Sequence, residues 1–246
     1  MINCRFINSG PGRASFNMAA DEFLMKKGET ALRVYSWEPS AVSIGYFQKI
    51  MEEVDVEECK RQNIDIIRRI TGGGAVFHNK ELTYSFIIPI GSFISNDLYE
   101  SYSQICGAVI EGISMLGIKS SFRPINDIIV DNRKISGNAQ TRDNDVILQH
   151  GTILMDVDVE RMFTLLKVRE IKMRDKIIKD VKNYVTSIKN ECNKNVTFNE
   201  IAQSILKGFE RKFGMSLEWE SLTENEIHTI KELERKYQSR EWNFWR

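Results

Sequence analysis

Residues 68–78 read Arg-Arg-Ile-Thr-Gly-Gly-Gly-Ala-Val-Phe-His, and three consecutive glycines there interrupt an otherwise β-like stretch. Glycine weakens a strand, so the physical reason to keep it is close approach by a ligand or another backbone. The guanidinium groups of Arg68 and Arg69 can fork onto phosphate or carboxylate oxygens. Together these residues suggest a bare main-chain wall for a flat or anionic small molecule. A hairpin turn with solvated arginines accounts for them equally well, because glycine-rich loops are weak signals without context. A second constellation lies at 126–140, Asn-Asp-Ile-Ile-Val-Asp-Asn-Arg-Lys-Ile-Ser-Gly-Asn-Ala-Gln. Here Lys134 adjoins the small residues Ser136, Gly137 and Ala139, so its side chain can extend across a pocket. A compact ammonium suits a phosphate, or a carbonyl oxygen where negative charge develops. The plain alternative is an exposed turn lysine. His150-Gly151-Thr152 again pairs a polar side chain with a glycine, and a lone histidine there reads first as a hydrogen-bonded structural group.

The elements that must position these residues are mixed. Residues 17–27 have helix-forming composition, and 31–37 and 41–47 are β-rich runs separated by Glu38-Pro39-Ser40, a turn signal. Residues 52–62 read as an amphipathic helix, followed by a strand over 65–69. Residues 81–89 alternate strongly and end at a proline. The clearest helix is 98–116, where Ile105, Val109, Ile113 and Leu116 recur on one face and Gly117 is placed to cap it. Strands are predicted at 127–131, 134–135 and 146–155. After residue 158 the pattern turns helical at 159–166, 197–213 and 223–237, with Thr197 and Glu200 forming a capping-box signature. Strand–helix alternation is incomplete, which predicts an α+β fold with antiparallel pairing.

Composition excludes several classes. Lysine plus arginine equals aspartate plus glutamate at 34 each, so no global field points to nucleic acid or a membrane surface. The basic run 167–182 is interrupted by acids and reads as a solvated helical face. The four cysteines, Cys4, Cys59, Cys106 and Cys192, are too far apart for a metal knuckle or redox pair. With no signal peptide and no apolar run long enough to span a bilayer, the expectation is a cytoplasmic protein with reduced thiols.

The order and spacing of the motifs add a resemblance. Arg-Arg-x-x-Gly-Gly-Gly-Ala-Val-Phe-His, then Asn-Asp-Ile-x-Val-Asp-x-Arg-Lys-Ile-Ser-Gly-x-Ala, then His-Gly-Thr-Ile-Leu resembles the lipoate–protein ligase family, part of a superfamily with biotin–protein ligases and octanoyltransferases. Asn17-Met-Ala-Ala-Asp-Glu22, Gly45-Tyr-Phe-Gln48 and the closing Glu241-Trp-Asn243 support it. The resemblance covers nearly the whole chain. It implies a central mixed, largely antiparallel sheet flanked by helices, like class II aminoacyl-tRNA synthetase and biotin protein ligase catalytic domains, in one catalytic domain over 1–246. It implies ATP-dependent activation of lipoate to lipoyl-AMP with Mg2+, then transfer to a lysine of a lipoyl domain. Acceptors would be 2-oxoacid dehydrogenase acyltransferase subunits or the glycine-cleavage H protein. By similarity, Lys134 would be catalytic. Arg69, Thr71, Gly72, Gly73, Gly74, Ala75 and His78 would line the lipoyl and phosphate region. Trp37, Val76 and the Tyr46–Phe47 neighbourhood would face the acyl chain. Asn126 and Asp127 would face the phosphates, Asp127 with a magnesium contact. Ser136, Gly137, Ala139, His150, Gly151 and Thr152 would complete the pocket.

Octanoyl transfer from acyl carrier protein to lipoyl domains, without ATP, is the alternative. Related transferases use a cysteine thiolate shortly before the Lys-containing motif, and residues 119–123 hold none. Cys106 falls on an apolar helical pattern and reads as core packing. The ligase reading is therefore preferred. Two departures bear on it: Asn79 follows the motif histidine where ligases commonly have Asp, and Tyr184 stands where many relatives have arginine. The family's C-terminal accessory domain is not in this sequence, which leads to the expectation of a separate partner protein.

Overall fold

Residue alternation in the central strands decides which side of the sheet becomes core and which becomes site. The computed structural model describes residues 3–167 and 174–246. Among these the elements run β1 (Asn3–Gly12), α1 (Ala14–Lys27), β2 (Ala31–Trp37), β3 (Ala41–Ile44), α2 (Ile50–Glu53), α3 (Val56–Arg61), β4 (Asp65–Arg68), β5 (Val76–His78) and β6 (Glu81–Pro89). They continue with α4 (Leu98–Ser114), β7 (Ser121–Arg123), β8 (Asp127–Val130), β9 (Arg133–Asp143), β10 (Val146–Leu154), α5 (Val159–Leu165) and α6 (Arg174–Tyr184). The last are α7 (Ile188–Glu191), α8 (Phe198–Phe213), β11 (Ser216–Trp219), α9 (Glu224–Gln238) and α10 (Arg240–Asn243).

The larger sheet has the order β11-β1-β2-β6-β10-β9-β8-β7, and the smaller has β4-β3-β5. Pairing of β1 with β11 and with β2 is parallel, and the rest of the larger sheet is antiparallel. The fold is α+β around a mixed, largely antiparallel sheet, as expected. In β2, Leu32 and Val34 face the core built with α4 and α8, alongside Tyr84, Phe86, Ile105, Val109 and Phe209. Alternation turns Arg33, Tyr35 and Trp37 to the opposite face, where α1 and α9 pack. The same rule sends Glu81, Thr83 and Ser85 of β6 to that second face. The functional side chains collect there.

Several boundaries differ from expectation. The helix over 52–62 is divided into α2 and α3, because Asp55 accepts from the Glu58 N–H and restarts the helix as an N-cap. Helix α4 ends at Ser114, two residues before the expected end, and Gly117 follows at φ 84°. Strand β1 is absent from the sequence expectations. Its register shifts between Asn8 and Gly10, the irregularity that Gly10-Pro11-Gly12 brings. Of the basic run 167–182, residues 168–173 lie outside the described residues, and the remainder enters α6. No helix among the described residues is long and apolar enough to cross a membrane.

Candidate active site

Arg68 ends strand β4 and Arg69 follows it, and the two side chains point in opposite directions. Arg68 is fully buried and donates to the carbonyls of Gly45, Tyr46, Gln48, Trp242 and Asn243 at 2.6–3.2 Å. It clamps the turn after β3 to the C-terminal helix α10, and is not a solvated arginine. Arg69 turns inward. Its Nε donates to Thr71 Oγ1 at 3.3 Å, Nη1 to the Ser43 carbonyl and Oγ at 3.1 and 2.8 Å, and Nη2 to the carbonyls of Gly72 and Gly74 at 2.8 and 2.9 Å. Five N–H groups thus meet five protein acceptors. Arg69 thus presents no open fork to the cavity it lines. Arg69 instead moulds the glycine loop around itself, and burial lowers its pKa to about 10. Gly45 completes the mould: a Cβ there would stand 2.0 Å from the Gly73 carbonyl oxygen. Gly73 itself has φ 96°, a conformation that excludes most side chains.

Two carboxylate–imidazole–hydroxyl chains converge on Arg69. In the first, Asp21 accepts from Arg33 Nη1 (2.9 Å), Tyr35 OH (2.8 Å), Ser85 Oγ (2.7 Å) and His150 Nδ1 (3.2 Å). An ionised carboxylate only accepts, so Nδ1 carries the proton and Nε2 accepts from Thr71 Oγ1 at 2.8 Å. Burial holds His150 below the ordinary histidine range against the raising influence of Asp21. Burial alone would raise Asp21, but its hydrogen bond from His150 and the charge of Arg33 bring it below its usual value. In the second chain, His78 Nδ1 donates to Glu81 Oε1 at 2.5 Å, and its Nε2 lies 2.6 Å from Ser43 Oγ. Trp37 stacks on His78 with centroids 3.9 Å apart and donates Nε1 to Thr83 Oγ1, which in turn donates to Glu81. Both relays orient a hydroxyl to accept from Arg69.

Opposite this wall, β9 carries Lys134 across Gly137. A Cβ on Gly137 would lie 2.6 Å from Lys134 Cε, so a larger residue there would push the end of the lysine side chain aside. The Lys134 ammonium rests 2.7 Å from Asp127 Oδ1. The other oxygen of Asp127 accepts from Arg123 at 2.9 Å and from Tyr184 OH at 3.2 Å. Burial would raise the Asp127 carboxyl, yet Lys134 and Arg123 hold it below the usual range. With both oxygens engaged by cations and a hydroxyl, Asp127 does not fit the expected magnesium contact. No group of three or more His, Cys, Asp or Glu suited to a metal occurs among the described residues.

Between the walls lies a cavity of about 400 Å3. Of the expected residues, Trp37, Arg69, Gly73, Gly74, Ala75, Val76, His78, Asn126, Lys134, Gly137, Ala139, His150, Gly151 and Thr152 line it. Thr71, Gly72, Ser136 and Asp127 stand behind the lining. Asn126 reaches the cavity, but its amide donates to the Asn138 carbonyl at 2.6 Å and supports the fold rather than offering itself outward. The Tyr46–Phe47 neighbourhood lies outside: Tyr46 packs on Trp242 and Trp245, and Phe47 is exposed. The apolar lining of the cavity comes instead from residues such as Met18, Leu154, Val159, Met162, Val181 and Val185. Sequence reasoning passed over Ser43, Glu81 and Asn138, quoted Asp21 only within a supporting motif, and noted Tyr184 only as a departure from many relatives.

The site is thus an apolar, glycine-walled cleft with the Lys134 ammonium beside it, on an α+β fold. Residues 13–210 match the lipoyl protein ligase A/B catalytic domain family. The chain belongs to this family of lipoate–protein ligases and octanoyltransferases. It is 37% identical to octanoyltransferase LipM of Geobacillus kaustophilus and 34% identical to that of Anoxybacillus flavithermus, each comparison covering 98% of both chains. Among solved structures it resembles a bipartite lipoate protein ligase of Thermoplasma acidophilum, at TM-score 0.91 and 28% identity, over 99% of this chain and 97% of that one. These relatives correct the functional expectation. ATP-dependent ligation was preferred on the missing cysteine near the Lys motif, but the curated relatives matched along almost their entire lengths are octanoyltransferases.

Proposed function

We propose that this protein is an acyltransferase that moves an octanoyl-class acyl group from the thioester of an acyl carrier protein to a lysine side chain of a lipoyl domain. The full-length similarity to octanoyltransferases carries this reading. The site's charges favour it as well. Adenylation needs a site that neutralises several phosphate charges, whereas Arg69 and Arg33 are committed to protein acceptors. A thioester arrives already activated and carries no charge at the reacting carbon. What it needs is a dry apolar channel for the chain and one positive group where the oxyanion forms. Lys134 is that group. It leaves Asp127 for the acyl oxygen, while Arg123 and Tyr184 keep the carboxylate paired. The wall of Gly73–Val76 and the floor of His150–Thr152 hold the chain's head; Val159, Met162 and Val181 enclose its tail.

The test is incubation of the protein with octanoyl-loaded acyl carrier protein and an apo lipoyl domain, read by mass spectrometry. The lipoyl domain should gain one octanoyl group with no nucleotide present. Failure to modify it without ATP would refute the reading.

A further inference from the structure

We infer that a groove beside the acyl cavity holds the pantetheine arm on which a carrier protein presents its thioester, with the arm's phosphodiester seated on Lys80 and Lys189. This inference rests on the transferase reading above and adds to it a site for the donor outside the acyl cavity. The groove has a volume of about 600 Å3 and shares Asn79, Lys80, Glu81 and Asp156 with the cavity, so one extended molecule can lie across both.

Three chain segments meet at that junction, and main-chain hydrogen bonds fix them. The Lys80 carbonyl accepts from the N–H groups of Met155 and Asp156 at 3.0 and 3.1 Å, which ties the turn before β6 to the end of β10. The Lys189 N–H donates to the Met155 carbonyl at 3.1 Å and brings α7 to the same point. Both ammonium groups therefore reach one carboxylate oxygen, Oδ2 of Asp156, Lys80 at 3.3 Å and Lys189 at 2.9 Å. The other oxygen accepts from the Val157 N–H at 2.9 Å.

Two cations facing one anion leave a positive charge uncompensated at the rim. The side chains of Lys80 and Lys189 are 61% and 63% exposed, so an anion can reach them. Glu81, the other acid of the groove, does not cancel this charge at the surface. It is buried, and its Oε1 accepts from His78 and Thr83.

The chemistry of the remaining lining matches a pantetheine arm, a chain of amides and short methylene links that ends in a phosphodiester. The carboxamides of Asn79, Asn195 and Asn199 can bond its amides, and Met155, Ile188 and Val196 form an apolar strip for its methylenes. The single negative charge of a phosphodiester equals the charge left over at the rim, and a compact ammonium suits phosphate oxygens. The acceptor's lysine, a cation in solution, would meet like charge on this path.

Kinetics on the full chain, with an apo lipoyl domain as acceptor, test this. Wild type should use octanoyl-phosphopantetheine with a kcat/KM about tenfold above that of octanoyl-pantetheine, the difference lying in KM. The double variant Lys80→Ala, Lys189→Ala should lose that preference while keeping octanoyl-pantetheine within about twofold of wild type. With octanoyl carrier protein, the same variant should raise the donor KM about tenfold, and Lys80→Arg, Lys189→Arg should restore it. Asn199→Trp, which fills the groove from an exposed position on α8, should raise the KM of every donor and leave that of the lipoyl domain unchanged. Octanoyl-coenzyme A presents the same arm on a nucleotide, and a kcat/KM below that of octanoyl carrier protein assigns the arm to the carrier; the reverse order would overturn that source. An unchanged carrier KM in the double alanine variant, an equal fall for both small donors, or a change confined to the KM of the lipoyl domain would overturn the inference and leave the transferase reading intact. Absence of transfer from any thioester would overturn both.

Discussion

Lys134 and Arg69 are both cations in the cleft wall, yet their surroundings give them different work. Arg69 has every donor satisfied by the protein and is 5% exposed, so its charge is fixed in place and shapes the loop. Lys134 has a single carboxylate partner, which two other groups can retain when it departs. Lys134→Ala should therefore lower kcat/KM by roughly 10²–10³-fold, the loss typical of a removed oxyanion donor. Because the ammonium acts mainly in the transition state, binding of the acyl donor should change little. Steady-state kinetics with a thermal melt for each variant check this; a large rise in KM with unchanged kcat would place Lys134 in ground-state binding instead. The motif made Lys134 legible in the sequence. The use of Arg69 was not, because nothing local tells whether a guanidinium meets carbonyls or a ligand.

At the scale of elements, the site depends on two strand ends held at a fixed separation. Strand β3 runs beside β4 and β5, so Gly45 at its end meets the loop at Gly73. A methyl group at residue 45 would collide with backbone, whereas one on Gly72 meets nothing within 4 Å. Gly45→Ala should weaken acyl binding strongly and lower thermal stability, and Gly72→Ala should be close to wild type in both. Binding of an octanoyl thioester analogue by calorimetry measures the pair; equal affinities would mean the loop is not moulded by this contact. The glycine triplet signalled a close approach, but the sequence could not assign it to a partner strand residues away. The strand that carries His150 was readable over 146–155, whereas the His78 segment read only as β-like and just 134–135 of the long strand that carries Lys134 was expected. The short helices and β1 were not, since tertiary contacts and capping set their limits.

For the whole molecule, buried charge links the site to stability. His150 is held by burial below its ordinary value of 6.5, so the unfolded chain takes up a proton first as pH falls. Its contribution is complete above the unfolded value and is lost as pH falls through the folded one. Asp21 repeats this sign at more acid pH, below its ordinary 3.8. Tm should decline from about pH 7 to 5, and His150→Gln should flatten that decline. An unchanged slope in the variant would remove His150 as the cause. The C-terminal helix contributes from the other side: Asn243 Oδ1 accepts from the Arg68 N–H at 2.8 Å and Trp242 Nε1 donates to the Arg68 carbonyl at 3.0 Å. The closing Glu241-Trp-Asn243 stood out in the sequence, but its partner at Arg68 is a contact of the folded chain alone. Asn243→Ala removes a buried acceptor and should cost about 1–3 kcal/mol by chemical denaturation.

The most direct measurement is a crystal structure of the protein with a non-reactive octanoyl thioester analogue. The acyl chain is expected between the Gly73–Val76 wall and the His150–Thr152 floor, with the carbonyl oxygen within hydrogen-bond reach of Lys134 Nζ and Asp127 held by Arg123 and Tyr184. A chain bound elsewhere, or Lys134 still paired to Asp127 beside a filled cavity, would contradict it.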